Sequence, residues 1–200
     1  MRPKTACLAV GLIAVLAAPL CSQTTGMPPF NAPYRAFQRS EFGGIVSFPG
    51  GDGFSVEGVY RYASGNFDVG FRAGMLDPGA GNTRLLLSAE GRSRIITHNS
   101  DFPLDGALVA GVGTALASGS GALYTPVGLS LGRRIAIKNS SVTVVPYVQP
   151  TAFYTVDGES QLLFTLGFGA DARLSPSLDA RISAGVGDVH GVSLGLVWVH

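Results

Sequence analysis

The chain has 200 residues and a formal net charge of +1, so its length suits one domain after a leader, and its charge gives no reason to expect nucleic acid as a partner. Only 14% of the residues are charged, and the 28 glycines and the positive mean hydropathy are unusual for a water-soluble domain. We therefore expect part of the surface to contact something other than water.

The first 25 residues have the pattern of a secretory signal peptide. Arg2 and Lys4 precede an apolar stretch over residues 6–20, and small polar residues follow it. This stretch is shorter than the roughly 20 residues that a membrane-spanning helix needs. We predict a signal peptide over residues 1–25, cleaved within residues 22–26.

Both cysteines, Cys7 and Cys21, lie in or beside this leader, so the mature chain cannot form an internal disulfide. Lipidation of Cys21 is an alternative, although bulky Leu20 stands where lipoprotein leaders have a small residue. Residues 26–40 contain three prolines and show no periodicity. They are predicted to form a Pro-rich periplasmic tail.

From Glu41 onward, apolar and polar residues alternate with a period of two, which indicates β-strands. The clearest example is residues 161–187, where two alternating runs meet at a turn over residues 175–177. Only Leu163 places a bulky side chain on the polar parity of this hairpin. In residues 141–154 both parities are apolar, and the pattern does not assign their faces.

We count ten such runs, joined by mostly short turns, with no helical periodicity after the leader. An open meander of this length would leave two edges unpaired. The prediction is therefore an all-β fold, a closed up-and-down antiparallel transmembrane β-barrel of ten strands over residues 41–200, with eight strands as the alternative.

The composition of the polar parity decides which face points inward. It consists of small residues and balanced charges, which suit a crowded barrel interior, whereas the other parity carries bulky apolar residues suited to lipid. The predicted lumen-lining residues are Glu57, Arg61, Asp68, Arg72, Arg84, Glu90, Arg92, Asp171, Arg173, Asp179 and Arg181. The predicted lipid-facing residues are Leu162, Phe164, Leu166, Phe168, Ile182, Val186, Leu194 and Leu196. Aromatic residues near strand ends, expected at the membrane interfaces, are Tyr60, Tyr62, Phe67, Tyr154 and Trp198.

With its leader, its alternation and its short turns, the chain resembles the small outer-membrane β-barrel proteins of Gram-negative-type bacteria, which have eight or ten strands. The resemblance covers nearly all of residues 41–200. It implies a monomer in the cell outer membrane, with both termini periplasmic, whose partners are outer-membrane lipids and the outer-membrane assembly machinery. Family members usually end on Phe, whereas this chain ends on His200 after Trp198.

We expect a structural or interaction role, a plugged or narrow polar lumen, and no catalytic residue, cofactor or metal. Three alternatives remain open. The charged interior could form a narrow channel for small solutes, although true porins need about sixteen strands. Asp188 and His190 could serve a hydrolase at the barrel rim. A soluble, lipocalin-like barrel would reverse the two faces.

Three prolines, Pro126, Pro146 and Pro150, fall within predicted strands. Pro146 and Pro150 share a parity, so the donors that they lack face the same neighbouring strand. The contact between residues 121–132 and 141–154 is therefore predicted to be the least protected ladder of the barrel.

Overall fold

The computed structural model describes residues 30–33, 39–50, 53–138 and 140–200, with the side chain of Ser120 left out. The predicted signal peptide and most of the predicted tail lie outside these residues. The strands are β1 (Glu41–Pro49), β2 (Phe54–Ser64), β3 (Phe67–Asp77), β4 (Arg84–Ile96), β5 (Asp105–Ala117), β6 (Ser120–Gly132), β7 (Ile135–Ala136), β8 (Thr143–Asp157), β9 (Glu159–Ser175), β10 (Leu178–Gly187) and β11 (Gly191–Val199).

Ten of these strands form a closed antiparallel barrel, in which each strand pairs with its sequence neighbours; the two-residue β7 pairs only with the start of β8. The first and last strands, β1 and β11, pair over their full length from Glu41 opposite Val199 to Pro49 opposite Gly191. This closing seam leaves the sheet without a free edge. The predicted ten-stranded barrel is confirmed.

The connections divide between the two ends of the barrel. Residues 65–66, 97–104, 133–142 and 176–177 turn the chain at the end where β1 begins and β11 finishes, which we call the termini end. The connections at residues 50–53, 78–83, 118–119, 158 and 188–190 lie at the opposite end, which we call the loop end. Glycines with positive φ, such as Gly65 (φ 61°) and Gly158 (φ 76°), make the tightest of these turns.

The period of two produces two distinct faces. In β9 the even-numbered residues from Ser160 to Phe168 are exposed, whereas all the buried residues are odd-numbered: Leu162 is 58% exposed and Leu163 is 8% exposed. The structure also assigns β8, which the sequence pattern left open. Its odd-numbered residues, Thr143 to Thr155, face inward, and its even-numbered ones face outward.

The pairing of β8 with β6 is interrupted. Gly128 pairs with Thr151 and Leu131 with Val148, but no pairs are formed between these positions, opposite Pro150. The carbonyl of Pro146 accepts a hydrogen bond from the Arg133 amide, so the main-chain groups of Pro146 and Pro150 point toward β6. The amide donors that these two prolines lack are therefore missing from the ladder with β6. By contrast, β8 and β9 pair continuously from Thr143 to Asp157.

The structure corrects the predicted periplasmic tail at residues 30–33. These four residues, which we call the lumen segment, are buried inside the barrel: Phe30 is 2% and Ala32 is 3% exposed. A barrel of eight strands is just filled by its own side chains. Ten strands enclose more space, and the lumen segment occupies part of it.

No helix of the described residues is long and apolar enough to cross a membrane.

Candidate functional site: the barrel interior

All eleven predicted lumen-lining residues lie on the inward parity. Eight of them are buried and the three arginines Arg84, Arg173 and Arg181 are half-buried. The prediction of these residues came from period and composition alone. Some of their partners lie on the neighbouring strand of the same hairpin, as Asp68 does for Arg61. By contrast, Glu41 and Arg181 are brought together only by closure of the barrel.

Eight inward side chains form one connected set of ion pairs, which we call the charged network. At its centre Arg61 contacts the carboxylates of Asp68, Glu90 at 2.8 Å and Glu41 at 3.5 Å. The network contains four arginines and four carboxylates, so it carries no formal net charge: Arg61, Arg72, Arg92, Arg181, Glu41, Asp68, Glu90 and Asp171.

The network continues in two directions from Arg61. Through Asp68 it reaches Arg92, whose Nη2 lies 2.9 Å from Asp68 Oδ2. Through Glu41 it crosses the closing seam to Arg181, whose Nη1 and Nη2 donate to the two Glu41 oxygens at 2.7 and 2.6 Å. Glu41 was not among the predicted lumen residues, although it shares the parity of the inward Ile45. The strand parity could have identified it.

The other predicted charges lie beside this network. Arg173 forms a two-point ion pair with Asp179 near the β9–β10 turn, with Nε to Oδ1 at 2.8 Å and Nη2 to Oδ2 at 2.9 Å. Asp179 is fully buried. Glu57 is buried on β2, and its Oε1 has no hydrogen-bond partner among the described residues. Arg84 lies at the start of β4 near the loop end.

The lumen segment lies across the middle of the interior and is held through its main chain. Three consecutive carbonyl oxygens each accept a hydrogen bond from a side chain of a different strand. Phe30 O accepts from Tyr147 Oη at 2.7 Å, and Asn31 O accepts from Ser130 Oγ at 2.7 Å. Ala32 O accepts from Arg92 Nη1 at 2.5 Å, which links the segment to the charged network.

Asn31 makes further contacts with the wall. Its Nδ2 donates to Glu90 Oε1 at 3.4 Å, and its backbone amide donates to Gln149 Oε1 at 3.5 Å. Buried main-chain groups need such partners, because an unpaired one costs about as much as a lost hydrogen bond. The wall therefore supplies donors and acceptors that an extended segment lacks on its own.

The ring of Phe30 fills a pocket toward the loop end. A Cβ atom at Gly167 would lie 2.3 Å from the Phe30 ring, and one at Gly185 would lie 3.0 Å from it. The rest of the pocket belongs to a buried apolar cluster, which we call the apolar wall: Val145, Tyr147, Phe153, Leu163 and Val189. This cluster explains why Leu163 departs from the polar parity and why both faces of residues 141–154 are apolar.

The outer face carries the predicted lipid-facing residues. Seven of the eight are exposed, from Phe168 at 43% to Phe164 at 59%, and Val186 is half-exposed. The predicted interface aromatics are all exposed and lie near the strand ends. Tyr60, Tyr62, Phe67 and Trp198 lie toward the termini end, and Tyr154 lies toward the loop end. The Trp198 ring stacks on Phe42, with ring centroids 6.1 Å apart.

The structure does not bring Asp188 and His190 together as an acid–base pair. The Asp188 carboxylate accepts a hydrogen bond from the Phe164 amide at 2.8 Å. The His190 ring packs so closely on Gly50 that a Cβ there would lie 2.0 Å from Nε2. Each side chain therefore has a role in fixing the loop. His98, in the connection between β4 and β5, contacts Asp105 through Nδ1 at 2.9 Å.

Within the described ranges, no group of three or more His, Cys, Asp or Glu side chains could hold a metal ion.

A comparison with solved structures supports the fold. The chain is similar to the β domain of the Bordetella autotransporter BrkA, with 22% identity and a TM-score of 0.51, over 80% of this chain and 76% of that one. The chain has the fold of an outer-membrane β-barrel. No family model matches the sequence, and no curated protein matches it significantly.

Two other solved structures show weaker likeness. One is a de novo designed transmembrane β-barrel, with 14% identity and a TM-score of 0.41, over 86% of this chain and all of that one. The other is a bacterial polysaccharide outer membrane secretin, with 13% identity and a TM-score of 0.44, over 74% of this chain and 56% of that one.

Proposed function

We propose that the chain is an outer-membrane protein with a structural or interaction role, and that its interior is closed to solutes. The observation that carries this proposal is the reversal of the two faces. Large apolar side chains cover the outside, and ion pairs fill the inside. A water-soluble barrel would have the opposite arrangement, since exposed apolar patches on soluble monomers rarely exceed a few hundred Å².

The positions of the aromatic residues support a membrane location. Four of them lie toward the termini end, and Tyr154, together with the exposed Phe48 and Phe54, lies toward the loop end. The aromatic girdles of transmembrane barrels are placed in this way at the two membrane interfaces. The apolar band between them would contact outer-membrane lipids. We further propose that the protein is a monomer, inserted by the outer-membrane assembly machinery with its termini end in the periplasm.

The filled interior supports a closed lumen. The charged network runs along the inner wall from β9 and β10, past the closing seam, to β1, β2, β3 and β4, and the lumen segment occupies the space beside it. Charges inside a membrane protein are costly unless they are paired, and these are. A solute would have to displace both the network and the segment.

Single-channel recording in planar lipid bilayers tests this proposal. We expect purified full-length protein, refolded in detergent, to insert without producing conductance steps. Its migration on a gel should differ before and after boiling, which shows that the barrel is folded. Reproducible conductance by folded protein would contradict the closed lumen and favour the narrow channel. Solubility without detergent would contradict the membrane location.

A further inference from the structure

The inner wall recognises the lumen segment in a way that does not require a covalent link to it. The side chains that donate to its three consecutive carbonyls, Tyr147, Ser130 and Arg92, belong to β8, β6 and β4. They lie 60 to 117 residues away from their acceptors in sequence. Contacts to main-chain carbonyls can be made to any extended peptide, because every residue offers one carbonyl.

The same wall also contains a pocket for one aromatic side chain. The pocket exists because Gly167 and Gly185 have no side chains, and its sides are formed by apolar residues such as Leu163 and Phe153. The three nearest atoms to a Cβ added at Gly167 all belong to the Phe30 ring, and a Cβ at Gly185 would lie 3.0 Å from that ring and from the Val189 carbonyl oxygen. Proteins bind extended peptides in this way, with hydrogen bonds to the peptide main chain and a pocket for one of its side chains.

We propose that the barrel interior is a peptide-binding site, with the lumen segment as its tethered occupant. Its ligand class is an extended peptide with an aromatic residue whose side chain enters the glycine pocket. Asn, with an amide that can reach the Glu90 carboxylate, suits the next position. The inference rests on the proposed closed barrel and adds a ligand to its interior.

The tether explains why such a site would be hidden in the intact protein. A segment linked to β1 by a short stretch of chain competes at an effective concentration of the order of millimolar. A free peptide must displace it. Weakening the attachment of the segment should therefore reveal the site, with no change to the barrel wall.

The test uses full-length Phe30→Ala protein and a fluorescent peptide of residues 28–35 (PPFNAPYR), with binding followed by fluorescence anisotropy in detergent. We expect saturable binding with an apparent affinity at least about tenfold higher than for the wild type, because the tethered competitor has lost its aromatic anchor. A peptide with Ala in place of Phe is the matched control and should bind weakly.

Two further variants locate the binding, each made in the Phe30→Ala background. Gly167→Leu places a side chain in the space that Phe30 vacates and should abolish binding. Tyr147→Phe removes one donor and should weaken binding about two- to tenfold, which corresponds to one hydrogen bond. Gel migration before and after boiling checks that each variant is folded.

The outcomes separate this inference from the proposed function. If folded Phe30→Ala binds no peptide while the wild type remains non-conducting, the peptide site is wrong and the closed barrel stands. Binding that Gly167→Leu leaves unchanged would place the peptide outside the glycine pocket and overturn the inference. Conductance by the wild type would contradict the proposed function, whatever the peptide does.

Discussion

The charged network and the apolar wall occupy the same barrel interior but fill it differently. On β1 to β4, long charged side chains pair with one another along the inner wall and, past β11, with Arg181. On β8 and β9, glycine, Tyr147 and apolar residues leave room that the lumen segment fills. The comparison shows that the barrel interior can be filled either by long charged side chains or by an enclosed segment of main chain. The first arrangement needs charged residues at the inward-facing positions, and the second needs small and apolar ones.

The largest expected effect concerns the charged network. Arg61→Met should lower the free energy of unfolding by about 3–5 kcal/mol, since it leaves three buried carboxylates without their shared partner. Urea unfolding in lipid vesicles measures this change. Arg134→Met, in an exposed turn, is the matched control, and we expect it to stay within about 0.5 kcal/mol. Equal effects for the two arginines would mean that the network does not stabilise the barrel.

The next effect concerns the strands that carry the apolar wall. Because Pro146 and Pro150 lack donors toward β6, amides along the ladder between β6 and β8 should exchange at least about tenfold faster than those between β9 and β10. Hydrogen exchange of the folded protein in micelles, resolved by residue, gives both rates. Equal protection of the two ladders would rule out a weak seam.

A smaller effect tests whether the lumen segment belongs energetically to the apolar wall. In a double-mutant cycle, Phe30→Ala and Leu163→Ala should couple by about 1 kcal/mol, because the two side chains share one buried cluster. Leu86, in a separate buried cluster with Leu76 and Ala115, provides the control. Phe30→Ala and Leu86→Ala should be additive within about 0.5 kcal/mol. Additivity in both cycles would contradict a specific contact between segment and wall.

The barrel could be predicted because the alternating pattern that specifies each strand lies within a short stretch of sequence. A period of two assigns each side chain to a face within a strand, and all eleven predicted charged residues, from Glu57 to Arg181, lie on the inward parity. The ion pair across the closing seam could not be predicted in the same way. Glu41 and Arg181 are 140 residues apart, and only closure of the barrel makes them neighbours.

The lumen segment could not be predicted, since four residues with no periodicity carry no local sign of where they bind. The sequence did contain an indirect signal on the opposite side of the contact. Leu163 interrupts a polar parity, and residues 141–154 are apolar on both faces. A strand is expected to depart from its alternating pattern where its residues have a role besides forming the barrel. Here they mark the surface that holds Phe30.

The closing seam between β1 and β11 has a consequence for how the protein is made. Every other strand pair of the barrel joins neighbours in the chain, whereas this pair joins residues about 150 positions apart. Such a long-range contact forms slowly, because the intervening chain must first be ordered. The barrel sheet can therefore be nearly complete while β1 and β11 are still unpaired. Residues 30–33, which are made before any strand, can be enclosed sideways through the gap between β1 and β11 before the seam forms.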